Sequence, residues 1–379
     1  MSPKRSIFEE VSSEATDRTQ PTKGVIDQGR SDSRGLVRAW LITLFSLVVL
    51  MIVVGGLTRL TDSGLSITEW NVVTGAIPPL NAADWQSEFE KYRAIPEYQL
   101  QNKGMSLEEF KVIYWWEWGH RQLGRVIGFV WAIGFLGLLA TRKMPPGWTG
   151  RLFLIGALGG LQGAIGWWMV SSGLTGTMLD VASYRLAVHL GLAFVILGLI
   201  TWYILKLSRT ERDLMQARRD GERRMFAMSG GVMHFTAVQI LLGALVAGID
   251  AGRSFTDWPL MGGSFVPIEF WMSDLGIRNF FENAGFVQFL HRIWGYILLA
   301  YAIFVWVRSR RSAHAATRRA FSVMMLALFA QIVLGIVTVL YAAPWNIAIF
   351  HQLLAVIVWV LILRARFQSQ YPVPQSVRG

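Results

Sequence analysis

The sequence predicts an all-α, polytopic membrane protein with eight transmembrane helices, arranged as two pseudo-symmetric four-helix bundles. Three observations predict it. Of 379 residues, 53% are hydrophobic and only 16% are charged, against about 25% charged in a soluble domain. Eight mostly apolar stretches approach the roughly 20 residues that a bilayer crossing needs. The motifs of the first four stretches return, in order, in the last four.

The first 35 residues are polar and mixed in charge, with no apolar core of a secretory signal; they predict a disordered tail over 1–35. Four acids in it (Glu9, Glu10, Glu14, Asp17) argue against a mitochondrial transit peptide. The predicted spans follow at about 37–57, 118–140, 152–172, 185–207, 226–249, 287–307, 320–342 and 347–363. Between the first two lies a long outer loop, 58–116, with one helix expected after Asn81 and another after Ser106. Ser106-Leu-Glu-Glu109 has the form of a capping box. The 251–287 loop is shorter and rich in Phe, Trp and Gly. The resulting division is 1–35 tail, 36–207 first bundle, 208–225 linker, 226–365 second bundle and 366–379 tail.

Lysine and arginine set the orientation. The segments on the side of the termini carry 25 of the 36, the opposite loops carry 8, and Arg121, Arg125 and Arg292 fall inside spans. Both termini are therefore expected in the cytoplasm. The net charge of +11 reflects this sidedness and not a nucleic-acid partner. Seventeen tryptophans suit a chain with two lipid–water interfaces. The absence of cysteine excludes disulfides, thiolate metal sites, iron–sulfur clusters and a thiol nucleophile. Any redox chemistry must come from a cofactor held by other ligands.

The repeat is carried by four kinds of match. His120-Arg121-x-x-Gly124 in the second span answers His291-Arg292-x-x-Gly295 in the sixth. Gln162-x-x-x-Gly166 in the third answers Gln331-x-x-x-Gly335 in the seventh. His189 answers His351, and Asp62-Ser-Gly64 answers Asp250-Ala-Gly252. Units of four spans keep both halves in the same orientation, a parallel repeat.

Four of the six histidines lie in even-numbered spans, three or four residues from the expected outer start, or roughly 5 Å deep. Two imidazoles on facing helices of one bundle are an established way to hold a haem. A lone histidine in a span is ordinarily a packing residue. Four at matched depth, paired by duplication, favour ligation. Zinc or copper is disfavoured because two histidines per bundle do not close a tetrahedral site. Arg121, Arg125 and Arg292 beside the histidines would serve propionates, with snorkelling to headgroups as the alternative. His234 and His314 receive no role. The symmetric Gln162 and Gln331 are assigned to interhelical packing and hydrogen bonding.

The halves differ at one informative position. Glu117 stands one turn before His120, whereas Gln288 holds that place before His291. A carboxylate at one site alone suggests one reactive centre and one passive one; an ion pair with Arg121 or Arg59 is the structural alternative.

The run Gly55-Gly-Leu-Thr-Arg59-Leu-Thr-Asp62-Ser-Gly64-Leu-Ser-Ile67, then Glu117-x-x-His120-Arg121, with a histidine pair in each half, resembles the haem A synthase family over about residues 37–365. The resemblance implies an oxidoreductase of cytochrome oxidase biogenesis that converts the C8 methyl group of haem O to a formyl group. It implies a resident haem b on His291 and His351, beside Arg292. It implies that His120 and His189 hold the substrate haem, with Arg121 and Arg125 nearby and Glu117 as the catalytic carboxylate. Lacking the cysteine pair of some members, the chain is similar to the proteobacterial and mitochondrial group. Haem O synthase is the implied partner, besides an electron donor, membrane lipid and a homo-oligomer. A bacterial plasma membrane is the expected location, the mitochondrial inner membrane the alternative. Competing readings are a dihaem electron-transfer cytochrome, a transporter, and a structural membrane protein.

Overall fold

The computed structural model describes residues 25–176 and 178–373, with side chains from residue 33 onward. Eight of its helices are long and apolar enough to cross a membrane: α1 (Val25–Leu60), α2 (Leu107–Ala140), α3 (Thr149–Val170), α4 (Ser183–Leu207), α5 (Arg223–Gly248), α6 (Ala284–Ser309), α7 (Ala315–Leu340) and α8 (Trp345–Gln370).

The same neighbours recur in each half. In the first, α1 packs on α2 and α4, and α3 on α2 and α4. In the second, α5 packs on α6 and α8, and α7 on α6 and α8. The halves meet through α4 against α5, with α8 against both α1 and α4. Glycines bring these helices together, as small residues do where lipid offers no competing hydrophobic drive. Trp40 lies on Gly134 and donates to Val130 O (3.0 Å), and Trp131 lies on Gly156 and donates to Leu152 O (3.0 Å). Across the junction, Trp359 of α8 lies on Gly198 of α4 and donates to Phe194 O (3.1 Å). In each case the indole occupies the space of a missing side chain and bonds the carbonyl one turn earlier.

Several boundaries differ from expectation, each for a visible reason. The tail expected over 1–35 lies outside the described residues up to residue 24, but residues 25–35 are helical. That end of α1 is pinned by Arg34, which donates to Lys206 O (3.0 Å) and Arg209 O and pairs with Glu211 (3.1 Å). The stretch 208–225 contains a helix, Glu211–Arg219, capped by Thr210 and Asp213, with Leu214 and Ala217 packed on Phe367 and Tyr371. Helix α8 continues to Gln370, beyond the expected 363, because Ala365, Phe367 and Ser369 are buried. Arg209 donates to Tyr371 O (2.8 Å), and Glu222 N to Ser369 O (2.8 Å). The described ends of the chain and the even-to-odd helix connections thus form one knit end of the molecule.

The opposite end carries the long loops. The helix expected after Asn81 is Ala82–Arg93, with the Asn81 side chain accepting from Asp84 N (2.9 Å). The Ser106 capping box is present in both directions. However, it does not open a separate loop helix; it opens α2 itself, 34 residues long. The first two turns of α2 stand beyond the apolar stretch because Phe110 and Tyr114 bury against Phe89, Tyr92 and Tyr98 of the loop. His120 therefore lies 13 residues after the start of its helix (120 − 107), whereas His189, His291 and His351 lie six or seven after theirs.

Candidate functional site: four histidines on four helical hairpins

Each histidine sits on the second helix of a hairpin and faces a glycine on the first. A Cβ added to Gly55 would stand 3.1 Å from His120 Nε2; one on Gly166 would stand 3.0 Å from His189 Cε1. In the second half, a Cβ on Gly243 would stand 3.1 Å from His291 Cε1, and one on Gly335 2.9 Å from His351 Cε1. The lack of a side chain at these four places is what lets one edge of each imidazole come so close to the neighbouring helix. The rings of His120 and His189 are close enough to interact electrostatically, as are those of His291 and His351. All four keep part of their surface accessible.

One turn along the first helix of a hairpin stands the residue that holds the histidine. Gln162 Nε2 donates to His189 O (2.9 Å) and lies 3.2 Å from its Nδ1. Gln331 Nε2 donates to His351 O (3.0 Å) and lies 3.2 Å from Nδ1. Gln239 Nε2 donates to His291 O (3.0 Å) and lies 3.1 Å from Nδ1. The carbonyl oxygens of all three amides are buried and have no hydrogen-bond partner. The Gln-x-x-x-Gly match of spans three and seven is thus a contact with the histidines. A third copy, Gln239-x-x-x-Gly243, is equally visible in the sequence but is found only by aligning hairpins instead of halves. At the fourth place, four residues before Gly55, stands Met51.

Glu117 and Gln288 occupy equivalent places with opposite hydrogen-bond polarity. Glu117 is 2% exposed. Its Oε2 accepts from Ser66 Oγ and Ile67 N (both 2.8 Å), and its Oε1 from Arg121 Nη2 (2.7 Å) and Nε (3.1 Å). Gln288, also 2% exposed, instead donates to Phe255 O (3.0 Å). The carboxylate is therefore held in place as an anion-shaped acceptor. The Arg121 pairing foreseen as the structural alternative is present; Arg59 is engaged elsewhere.

The three arginines expected beside propionates direct their donors to loop carbonyls. Arg121 bonds Ile67 O and Glu69 O (both 2.7 Å), and Arg125 bonds Val72 O (2.9 Å) and Asn71 O (3.0 Å). Arg292 bonds Phe255 O, Asp257 O and Leu260 O, each at 2.9 Å. They hold the loops that follow α1 and α5 over the histidine sites. Those loops turn the same way, with Asp62 and Asp250 both left-handed (φ 48° and 49°). Arg59 joins them, pairing with Asp62 (3.0 Å), Asp250 (3.1 Å) and Asp180 (3.4 Å).

The sites of the two halves are nearly in contact. Gly55 faces His120, and its neighbour Gly56 faces the side chain of Gln352, the residue after His351. Gln352 Nε2 donates to Ile52 O of α1 (2.6 Å). Sequence reasoning missed this bridge, since nothing in a repeat announces which helices pair across it. His234 bonds the carbonyl of Gly230 one turn back (2.6 Å), an ordinary helical histidine.

Eight long apolar helices, with a pair of glycine-seated imidazoles in each half, define an all-α polytopic membrane protein. Residues 38–363 match the family described as COX15-CtaA, cytochrome oxidase assembly protein. The chain belongs to that family. It is 68% identical over 381 residues to the heme A synthase of Dinoroseobacter shibae, covering 100% of this chain and 99% of the relative. It is 66% identical to that of Ruegeria pomeroyi, covering all of both chains, and 58% identical to that of Paracoccus denitrificans, covering 99% of each.

Proposed function

We propose that this protein oxidises the C8 methyl group of haem O to a formyl group, giving haem A for cytochrome oxidase. The observation that carries the reading is the set of paired imidazoles, each seated on a glycine of the facing helix, in a chain whose relatives bear the name heme A synthase. His291 and His351 hold a resident haem b, and His120 and His189 hold the substrate haem. The donor set suits iron porphyrin: two imidazoles per half, each seated in the space a glycine leaves on the facing helix. Haem b supplies one-electron transfer when bound.

The chain's own residues do the rest. The Gly55–Gly56 pair brings α1 against both His120 and Gln352, which keeps the two sites close. Arg121, Arg125 and Arg292 hold the loops that follow α1 and α5, and their positive charge would favour the propionates of a bound haem. Glu117, fixed by Ser66, Ile67 N and Arg121, keeps a negative charge one turn from His120, where it stabilises positive charge developing at the oxidised carbon. The bundles divide at 36–207 and 226–365. The arginine-rich knit end, with both termini, faces the cytoplasm of a bacterial cell. Haem O synthase is the partner that supplies the substrate.

Incubating the purified protein with haem O and a reductant under oxygen, and assaying the formyl product, tests the activity. His291→Ala is expected to lose haem b, while His120→Ala keeps it and loses turnover. Equal haem loss in both variants would overturn the assignment of roles, and a haem-binding protein that forms no product would be an electron-transfer cytochrome.

A further inference from the structure

We infer that Gln162, Gln239 and Gln331 are positioning residues that lock three of the four imidazoles, and that Met51 leaves His120 the one ligand able to leave the iron. The inference rests on the haem-binding reading above and deepens it.

Met51 stands in the place of Gln239 by two independent contacts. A Cβ on Gly124, one turn beyond His120, would lie 3.5 Å from Met51 Cε. A Cβ on Gly295, one turn beyond His291, would lie 3.5 Å from Gln239 Nε2. Four residues on, Gly55 faces His120 as Gly243 faces His291. The geometry of the hairpin is kept while the amide is replaced by a thioether.

The consequence follows from what the amide does. A ligating imidazole keeps its orientation through the groups packed and bonded around its ring. In three hairpins the glutamine amide nitrogen donates to the histidine's backbone carbonyl and lies against the ring, 3.1–3.2 Å from Nδ1 and, for Gln239 and Gln331, 3.2 and 3.4 Å from Nε2 as well, an N–H contact with the ring that does not need the Nδ1 lone pair. Rotating any of those rings away breaks a contact inside an apolar bundle, where no water replaces it. Methionine offers His120 no such contact and is flexible enough to yield as the ring turns. Both ligands of the second site are locked, as a retained cofactor requires. The first site has one locked ligand, His189, and one unlocked. That serves a haem that must enter, react and depart, and it opens one face of the iron without moving a helix.

Carbon monoxide binding to the ferrous, full-length protein reads this directly, because it needs a vacated axial position. With haem O loaded, the first site is expected to bind carbon monoxide and the haem b site to resist it. Met51→Gln should weaken carbon monoxide binding at the first site about two- to fivefold, the factor one N–H contact with an aromatic ring supplies. Gln239→Met should strengthen it at the haem b site by a similar factor. The two substitutions run in opposite directions, so a folding defect in one does not imitate the pair. Full haem content with unchanged carbon monoxide binding in either variant overturns the inference. A wild-type protein that binds no haem removes the inference together with the reading beneath it.

Discussion

The two halves place the same residue types on the same hairpins and differ at two positions beside the first histidine of each. In the first half these are Met51 and Glu117; in the second, Gln239 and Gln288. The second half is the more fully neutral and the more fully bonded at its imidazoles. The repeat keeps the histidine-on-glycine seat and changes the groups around one imidazole, which under the proposed function separates holding a porphyrin from acting on it.

Exchanging the residues between halves is the strongest test of that contrast. Gln288→Glu puts a buried carboxylate against Phe255 O, while Arg292 one turn on already bonds three loop carbonyls, Phe255 O among them, through Nη1 and Nη2. We expect a loss of about 3 kcal/mol, the low end of what an uncompensated buried charge costs, since Arg292 offsets part of it. The reverse change, Glu117→Gln, removes the charge from the Arg121 pair but leaves acceptors for Ser66 and Ile67 N. It is expected to cost about 1.5–3 kcal/mol. Thermal unfolding of the detergent-solubilised protein ranks the two, and a larger loss for Glu117→Gln would reverse the comparison.

Filling the glycine cradles comes next. Gly335→Val pushes on the His351 ring and should cost about 1–3 kcal/mol of packing, read as lost haem b absorbance. Gly166→Val meets His189 with the same geometry and should spare haem b while weakening uptake of added haem O. Haem b loss from both would deny that the sites are separate.

The loop end supplies a pH test. Glu97 is 3% exposed, and burial, aided by Asp180, Glu117 and Asp62, pushes its carboxyl up to about 8, with Arg59 opposing. The folded protein thus keeps a proton that the unfolded chain releases near its ordinary value of 4.5. Stability contributed by the protonated form is complete below that value and declines as pH rises toward 8. Comparing unfolding at pH 5 and pH 8, wild type should lose stability and Glu97→Gln should lose less. Equal pH dependence would remove Glu97 as the cause.

The smallest effect is expected at the bridge. Gly56→Ala must displace the end of the Gln352 side chain, which is flexible, at a cost of about 1 kcal/mol or less. Its more telling readout is electron transfer between the two haems, which should slow if α1 and α8 are forced apart.

The eight helices were legible because each carries its own apolar run, and the histidines because the repeat places them twice. The caps at Asn81 and Ser106 were legible from local chemistry, yet Ser106 opens α2 because Phe110 and Tyr114 find partners 12 to 25 residues earlier in the chain, at Tyr98, Tyr92 and Phe89. No local pattern reports such partners. The arginines were legible as charges inside spans that need partners, but not in their targets: backbone carbonyls have no sequence signature, so bonds such as Arg292 to Phe255 O escape a reading of charges. Gln239 was hidden by alignment, since comparing four-helix halves sets it against methionine, and only the hairpin register shows what it does.

Arg59 belongs to α1, while the three carboxylates it serves come from separate segments: its own turn, the loop before α4, and the far end of α5. A fragment cut between the halves would leave Asp250 with only the longer pairing to Arg253 (3.8 Å) and leave Arg59 one acid short. Although descended from a repeated plan, the two bundles are not interchangeable modules, and a chimera that takes them from different sources inherits this junction as its first fault line.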